Sequence, residues 1–296
     1  MQPHQLEYFL AVAETGTFTA GAQRSRVVQS AVSTAIRQLE RELGATLFVR
    51  GRTISLTPAG EALLPQAREV ITALEAATAA VAATRGQVTG TVNLGMMFRF
   101  GDYDMAYRLA AFRHKHPDVV VRGRSSTRGS QGQIEALRRG DLDLAFVATT
   151  TDVVPGLVLD HVASERLRLA CHASHPLAGS GTVSLDQIAD ETFIDSPIGW
   201  GNRSVVDAAF ARAGLQRNVH LETSDFSLTQ RLVQEGLGLA FLQESVLATD
   251  ARVAVLDVEP ALVWTARLAR PASRPLSAAA AALATELLDG VAGVDH

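Results

Sequence analysis

The chain has 296 residues, of which 47% are hydrophobic and 20% charged, with a formal net charge of −4 and a single cysteine, Cys171. That leaves room for about two domains at roughly 100–200 residues each, is too apolar for a disordered chain, and lacks the thiols for an internal disulfide or a paired-cysteine metal or redox motif. No run of about 18 apolar residues marks a membrane span and no basic-then-apolar leader opens the sequence, so a cytoplasmic protein without membrane contact is expected.

The charge is unevenly spread. All six cations of the first sixty residues, Arg24, Arg26, Arg37, Arg41, Arg50 and Arg52, lie between positions 24 and 52. A basic cluster on an acidic protein suits a nucleic-acid-binding module joined to a domain with another partner, although such a cluster is also an ordinary solvated face.

Leu6, Phe9, Leu10 and Ala13 follow helical spacing up to Gly16, which predicts a short amphipathic helix. Thr17 is placed to cap a second helix running to about Ser25. After a tight turn a third helix is predicted from Gln29 to Leu43, with Val32, Ile36, Leu39 and Leu43 as its apolar face. Its other face carries Gln29, Ser33, Arg37 and Arg41 at intervals of four, with Ser30 and Thr34 beside them. These side chains can hydrogen-bond base edges and phosphates. Short strands on either side of Arg50-Gly51-Arg52 are expected to form a wing. Periodicity alone leaves a plain three-helix bundle with a polar outer face equally open.

The wording of this segment narrows the choice. LEYFLAVAETGTFTAGAQ, then QSAVSTAIRQLERELGATLFVR, then LTPAG, covering residues 5–60 nearly continuously, strongly resembles the LysR-type transcription regulators. Four positions depart from the family pattern. Val28 stands where a serine is usual and cannot cap the following helix, Ser30 replaces a proline, Ser25 a core leucine and Gly21 one of two paired alanines. The resemblance implies a winged helix-turn-helix, mainly α, over residues 1–58. Its DNA-facing residues would be Gln29, Ser30, Ser33, Thr34, Arg37, Arg41, Arg50 and Arg52.

Thr57-Pro58 is a helix start. Leu64, Ala67, Ile71, Leu74, Thr78 and Val81 then recur at alternating steps of three and four, a heptad seam. The resemblance makes residues 59–87 a linker helix that dimerises; an intramolecular amphipathic helix is the competing reading. Pro65 is expected to kink or restart it.

From residue 91 strands and helices alternate: strands at 91–97, 118–124, 142–148, 166–171, 192–195, 219–223 and 239–242, and helices at 104–115, 131–139, 203–213 and 226–235. Such alternation predicts an α/β domain with parallel sheets. TVNLG, LRRGDLDLAFV and EGLGLAFL resemble the LysR effector domain more loosely, with Gln243 where proline is common. That resemblance implies a two-lobed α/β, periplasmic-binding-protein-like domain over residues 88–296.

Ligands of open α/β sheets bind beyond the carboxyl ends of strands, near helix starts that attract anions. This puts the cleft at residues 96–100, 125–130, 148–150, 195–204 and 224. The effector-binding candidates are Met97, Phe98, Arg99, Phe100, Ser125, Thr127, Thr149, Trp200, Arg203 and Ser224. The family often has a Ser or Thr after the first strand; Met97 to Phe100 stand there instead, which suggests a roomier, apolar or aromatic pocket. Arg99 or Arg203 would meet an anionic group and Trp200 would stack on a ring. Core packing is an equal reading for Phe98, Phe100 and Trp200.

Catalytic motifs are missing: GxSxG, a phosphate-binding loop and a dinucleotide fingerprint are not in the sequence. Cys171, His172 and His175 make a poor metal set. No cofactor, metal or enzyme activity is expected. The expected partners are double-stranded promoter or operator DNA, a small-molecule effector of anionic aromatic character, and a second copy of the chain in a homodimer or homotetramer. A regulator without an effector, controlled by its abundance or by a protein partner, is the nearest alternative. An enzyme or solute-binding protein carrying a DNA-like bundle is a more distant one.

Overall fold

A computed structural model describes residues 1–291, apart from 50, 52, 53, 84–86, 98–100, 248 and 249 and the side chains of 75, 79, 80, 82 and 83. The chain divides into two compact units, Met1–Gly90 with Arg139–Asp141, and Thr91–Arg138 with Leu142–His296.

The first unit begins with three helices, α1 (Pro3–Thr15), α2 (Phe18–Arg24) and α3 (Gln29–Leu43). Each begins differently. Gln2 and Gln5 form a reciprocal capping box on α1, and Thr17 Oγ1 accepts from Ala20 N at 3.1 Å on α2. The residue before α3, Val28, has the extended backbone of a cap but no side-chain bond to the helix. Leu6, Phe9, Val12, Val32, Ile36 and Leu39 form the buried centre of the bundle, each large side chain contributing about 1.5–3 kcal/mol by leaving water. Leu43, predicted on the apolar face, is 43% exposed, because the helix is in its last turn before Gly44 and has passed the end of the bundle. Gly21 lets α2 approach α1 closely: a Cβ there would sit 2.7 Å from Val12 Cγ2 and 3.1 Å from the Val12 backbone.

The hairpin β1 (Phe48–Val49) and β2 (Ser55–Leu56) is tied to the bundle through the Phe48 ring. That ring lies 5.3 Å from Phe9 and 5.8 Å from Phe18 between centroids. Thr57 Oγ1 then accepts from Gly60 N at 3.1 Å, opening α4 (Pro58–Ala83). The helix runs unbroken through Pro65, so the expected restart does not occur. One missing backbone bond is outweighed here by packing on both sides of it, with Leu63, Leu64, Ala67 and Ile71 all set against the bundle core. The heptad seam therefore divides. Its first half is intramolecular, whereas Leu74 and Val81 are 45% and 61% exposed.

In the second unit the elements are β3 (Gly90–Met96), α5 (Met105–Lys115), β4 (Val119–Ser125), α6 (Gly129–Arg138), β5 (Leu144–Ala148), β6 (Leu157–His172), β7 (Thr182–Ser184), β8 (Thr192–Asp195), α7 (Gly201–Arg212), β9 (Asn218–Glu222), α8 (Phe226–Gln234), β10 (Ala240–Gln243), β11 (Val253–Glu259), β12 (Leu262–Pro271) and α9 (Ala278–Leu288). The main sheet has the order β4-β3-β5-β12-β6-β11-β7, with β10 also paired to β6. It is mixed rather than parallel. β3 runs parallel to β5, but β12 is antiparallel to both β5 and β6, and β10 and β11 are antiparallel to β6.

The expected strand at 166–171 is only the end of the 16-residue β6. β6 and β12 pair along the whole of β12, from Leu262 opposite Leu167 to Pro271 opposite Leu157, with a bulge at Val162. This ladder runs through two separate cores. One contains Leu137, Leu142, Ala145, Val147 and Ala269; the other contains Ala170, Ile194, Val233, Ala240 and Leu242. The two cores make two lobes, joined by β6 and β12.

Candidate nucleic-acid interface and ligand pocket

The buried stripe of α3 leaves its opposite side in water. Gln29, Ser30, Thr34, Arg37 and Arg41 are exposed and Ser33 is half-buried. Gln29 and Ser30 are the first two residues of the helix, so their side chains and the first unpaired backbone N–H groups sit together at its positive end. Arg37 Nη2 donates to Thr34 Oγ1 at 3.3 Å. Thr34, Arg37 and Arg41 line a shallow groove with Glu40, Gly44, Ala45 and Thr46.

The neighbouring acids are engaged elsewhere. Glu40 Oε1 accepts from Leu47 N at 2.9 Å. Glu42 receives the N-terminal ammonium, whose hydrogen bond holds its carboxyl below the usual carboxylate range. Arg24 is paired with Glu14 at 2.6 Å. Among the described residues neither Arg37 nor Arg41 forms an ion pair, so the face presents positive charge and hydroxyls. Arg50 and Arg52 lie outside the described residues.

The second unit holds a small pocket with a cavity volume of about 40 Å³. Its apolar walls are Met96 and Met97 at the end of β3, Phe226 at the start of α8, Trp264 on β12 and Trp200 at the N-cap of α7. Its polar groups are Ser125, Ser126, Ser130, Gln133, Asn202 and Gln243. Two helix starts, Gly129 of α6 and Gly201 of α7, open on the same space. At α6 Gly129 N donates to Ser126 O at 3.2 Å and Gln131 N to Gly199 O at 3.1 Å, so it is the helix dipole that makes these ends receptive to an anion.

Local chemistry fixes the walls. Gly129 has φ 54°, and a Cβ on it would lie 2.8 Å from Trp200 Cγ and 2.9 Å from the Trp200 backbone. Only glycine allows this close crossing of the two helix starts. Trp200 Nε1 donates to the Thr127 carbonyl at 3.3 Å. Ser130 Oγ accepts from Ala148 N at 2.9 Å, which leaves its own proton to donate. Gln133 Nε2 donates to Met96 O at 3.0 Å and to Arg124 O at 3.4 Å, tying α6 to the ends of β3 and β4.

Of the effector-binding candidates, the structure brings together Met97, Ser125 and Trp200 in the pocket lining. Phe98, Arg99 and Phe100 lie outside the described residues. Thr127 contributes only its carbonyl, to Trp200. Thr149 turns away, donating to Thr151 O at 2.7 Å and accepting from Arg267 at 3.1 Å. Ser224 is exposed in the loop before α8.

Arg203 is not in the lining. It bonds Asp207 at 2.8 Å, Glu222 at 2.9 Å and the Ser196 carbonyl at 3.3 Å. Together with Arg217, Asp207 and the buried Asp195 it belongs to a charge network of its own lobe. Burial pushes the Asp195 carboxyl above the usual range, against the pull of Arg217. Among the described residues no cation lines the pocket, so an anionic group entering it meets helix starts and hydroxyls.

The lining residues Gln133, Phe226 and Trp264 carried no sequence signal tied to strand ends. Gln243 had one, its substitution for a common proline. Among the described residues, no three His, Cys, Asp or Glu side chains are placed to hold a metal ion. No described helix is long and apolar enough to cross a membrane.

Two family models match. Residues 3–61 match "Bacterial regulatory helix-turn-helix protein, lysR family" and residues 85–292 match "LysR substrate binding domain". The chain is 31% identical over 287 residues to the transcriptional dual regulator GltC of Bacillus subtilis, covering 95% of this chain and 94% of that one. Among solved structures, a full-length OxyR from Pseudomonas aeruginosa shares the fold with a TM-score of 0.76 at 22% identity, over 99% of this chain and 96% of that one. The effector-binding domain of QuiR, solved in complex with shikimate, gives a TM-score of 0.58 at 20% identity, over 68% of this chain and 96% of that one.

Proposed function

We propose, for a chain that belongs to the LysR family of bacterial transcription regulators, that a small molecule held in the pocket between the lobes sets how α3 engages an operator. The chain is a transcription regulator, not an enzyme; it carries an N-terminal helix-turn-helix and a substrate-binding domain.

On the DNA side, Gln29, Ser30, Ser33 and Thr34 would reach base edges in the major groove, with Arg37 and Arg41 on bases or phosphates and Arg50 and Arg52 on the backbone or minor groove. Two copies would pair along the exposed half of α4, through Leu74, Thr78 and Val81, and read a two-fold site. A homodimer or a dimer of dimers in the cytoplasm follows from this reading.

On the ligand side, aromatic and thioether walls favour a flat apolar body, while helix starts and hydroxyls favour a carboxylate. QuiR's complex with shikimate supports a small organic effector in this type of domain. Ligand that binds a closed arrangement of the lobes better than an open one shifts the population toward closure, and the subunits repack on the DNA accordingly.

The observation that carries the reading is the pocket itself: space bounded by Trp200, Trp264 and Phe226 and lined by the first residues of two helices. A thermal-shift panel tests it. Aromatic carboxylates such as benzoate and salicylate should raise the unfolding midpoint more than acetate or lactate at equal concentration. An equal response to both sets would contradict the proposal.

A further inference from the structure

Glu165 lies in the middle of β6, directly opposite Trp264 of β12. Opposed residues of an antiparallel pair share a face, so the Glu165 side chain rises beside a pocket wall. A carboxylate in the middle of a half-buried strand is unfavourable unless its oxygens are satisfied. Here each oxygen has its own donor. Oε1 accepts from Gly101 N at 2.5 Å and Oε2 accepts from Ser245 N at 3.1 Å. The two donors also meet each other, with Gly101 N donating to Ser245 Oγ at 3.2 Å.

These donors come from different lobes. Gly101 follows β3 and the pocket residue Met97, in the lobe built on β3 and β5. Ser245 lies in a short helical turn, Glu244–Val246, immediately after the pocket residue Gln243 of the other lobe. One side chain, rooted in a strand common to both lobes, therefore holds a backbone N–H from each lobe, Gly101 and Ser245. Charge-assisted bonds of this type are stronger than neutral ones.

We propose that Glu165 is a clasp between the lobes, a positioning residue that touches no ligand but couples the state of the pocket to the angle between the lobes. Ligand pressing on Gln243 shifts Ser245, two residues on, and Gly101 of the other lobe feels it through the shared carboxylate. The inference rests on the pocket being the effector site proposed above.

The clasp has a signature that a merely structural acid lacks. Glu165→Gln keeps the size but offers one acceptor oxygen, so it can serve one loop and not both. Hydrogen–deuterium exchange on the full-length protein reads this out in peptides covering residues 97–104 and 243–247. Glu165→Ala should speed exchange in both segments by about tenfold, the equivalent of a roughly 1.4 kcal/mol loss of protection. Glu165→Gln should speed it in one only. Without added effector, Glu165→Ala should also change the nuclease footprint on DNA upstream of the protein's own gene. Exchange at wild-type rates in both segments, in either variant, would overturn the clasp. A wild-type footprint that Glu165→Ala leaves unaltered would overturn the coupling. If the wild type gives no footprint on this DNA, it is the regulatory reading that fails, and exchange alone decides the clasp.

Discussion

Asn202 and Gln243 lock together in the pocket wall. Asn202 Nδ2 donates to Gln243 Oε1 at 2.8 Å and Gln243 Nε2 donates back to Asn202 Oδ1 at 3.0 Å, with both residues under 5% exposed. One belongs to the first turn of α7 and the other ends β10, so the pair fastens a helix start to the sheet beneath it. Asn202→Ala leaves a buried amide unmet and should cost about 1–3 kcal/mol. Urea denaturation of the single and double variants checks this: the double variant should lose less than the sum of the two singles.

Arg217→Ala should be among the most damaging single changes in the second unit. Arg217 pairs with Asp195 and, at 2.7 Å, with Asp207, while its guanidinium lies 5.5 Å and 5.7 Å from the Phe193 and Phe210 rings. Removing it leaves Asp195, which is 5% exposed, with only the more distant Arg203 at 4.0 Å as a cation, at a cost of about 3–5 kcal/mol. Asp195→Asn should be milder, since Arg217 keeps Asp207. Equal losses in the two variants, measured by denaturant unfolding, would contradict this account.

Val28→Ser should stabilise the first unit. Position 28 already has cap geometry, φ −74° and ψ 145°, and its side chain is 69% exposed without a bond to the helix. A hydroxyl there can accept from the first turn of α3, a gain of about 1 kcal/mol. A higher unfolding midpoint for Val28→Ser than for Val28→Ala, which cannot cap, is the expected result.

Acid should weaken the second unit through His161. Burial, aided by Arg267, lowers its pKa below the unfolded value, which is about 6.5. The unfolded state then binds the proton more readily, so stability held above that pH is lost as pH falls through it. Between about pH 7.5 and 5.5 the unfolding midpoint of wild type should drop further than that of His161→Gln.

Much of the first unit was legible because its signals are local. The stripe Val32, Ile36, Leu39, the cap at Thr17 and the stop at Gly16 each act within a few residues, and α3 has the predicted ends. The second unit depends on pairings distant in sequence. The strand β6 is interrupted by Asp160, Ser164, Glu165 and Arg168, whose polar character breaks the apolar run that marks a buried strand. β12 does alternate, with Leu262, Trp264, Ala266 and Leu268 buried, but its antiparallel return between β5 and β6 has no counterpart in a strand–helix pattern. The pocket was half legible for the same reason. Strand ends pointed to Met97, Ser125 and Trp200, whereas Trp264 lies within a strand and Phe226 begins a helix. Arg203 was misleading because composition cannot show that Asp207 and Glu222 already hold it.

The most direct test is a salt-dependent binding titration against DNA upstream of the protein's own gene, with wild type and Arg37→Ala. The account predicts tight, sequence-selective binding by wild type. Arg37→Ala should weaken it by about 1–3 kcal/mol if the residue reads a base, or flatten the salt slope by about one if it contacts a phosphate. Weak binding that is equal for every sequence, and unaffected by Arg37→Ala, would contradict it.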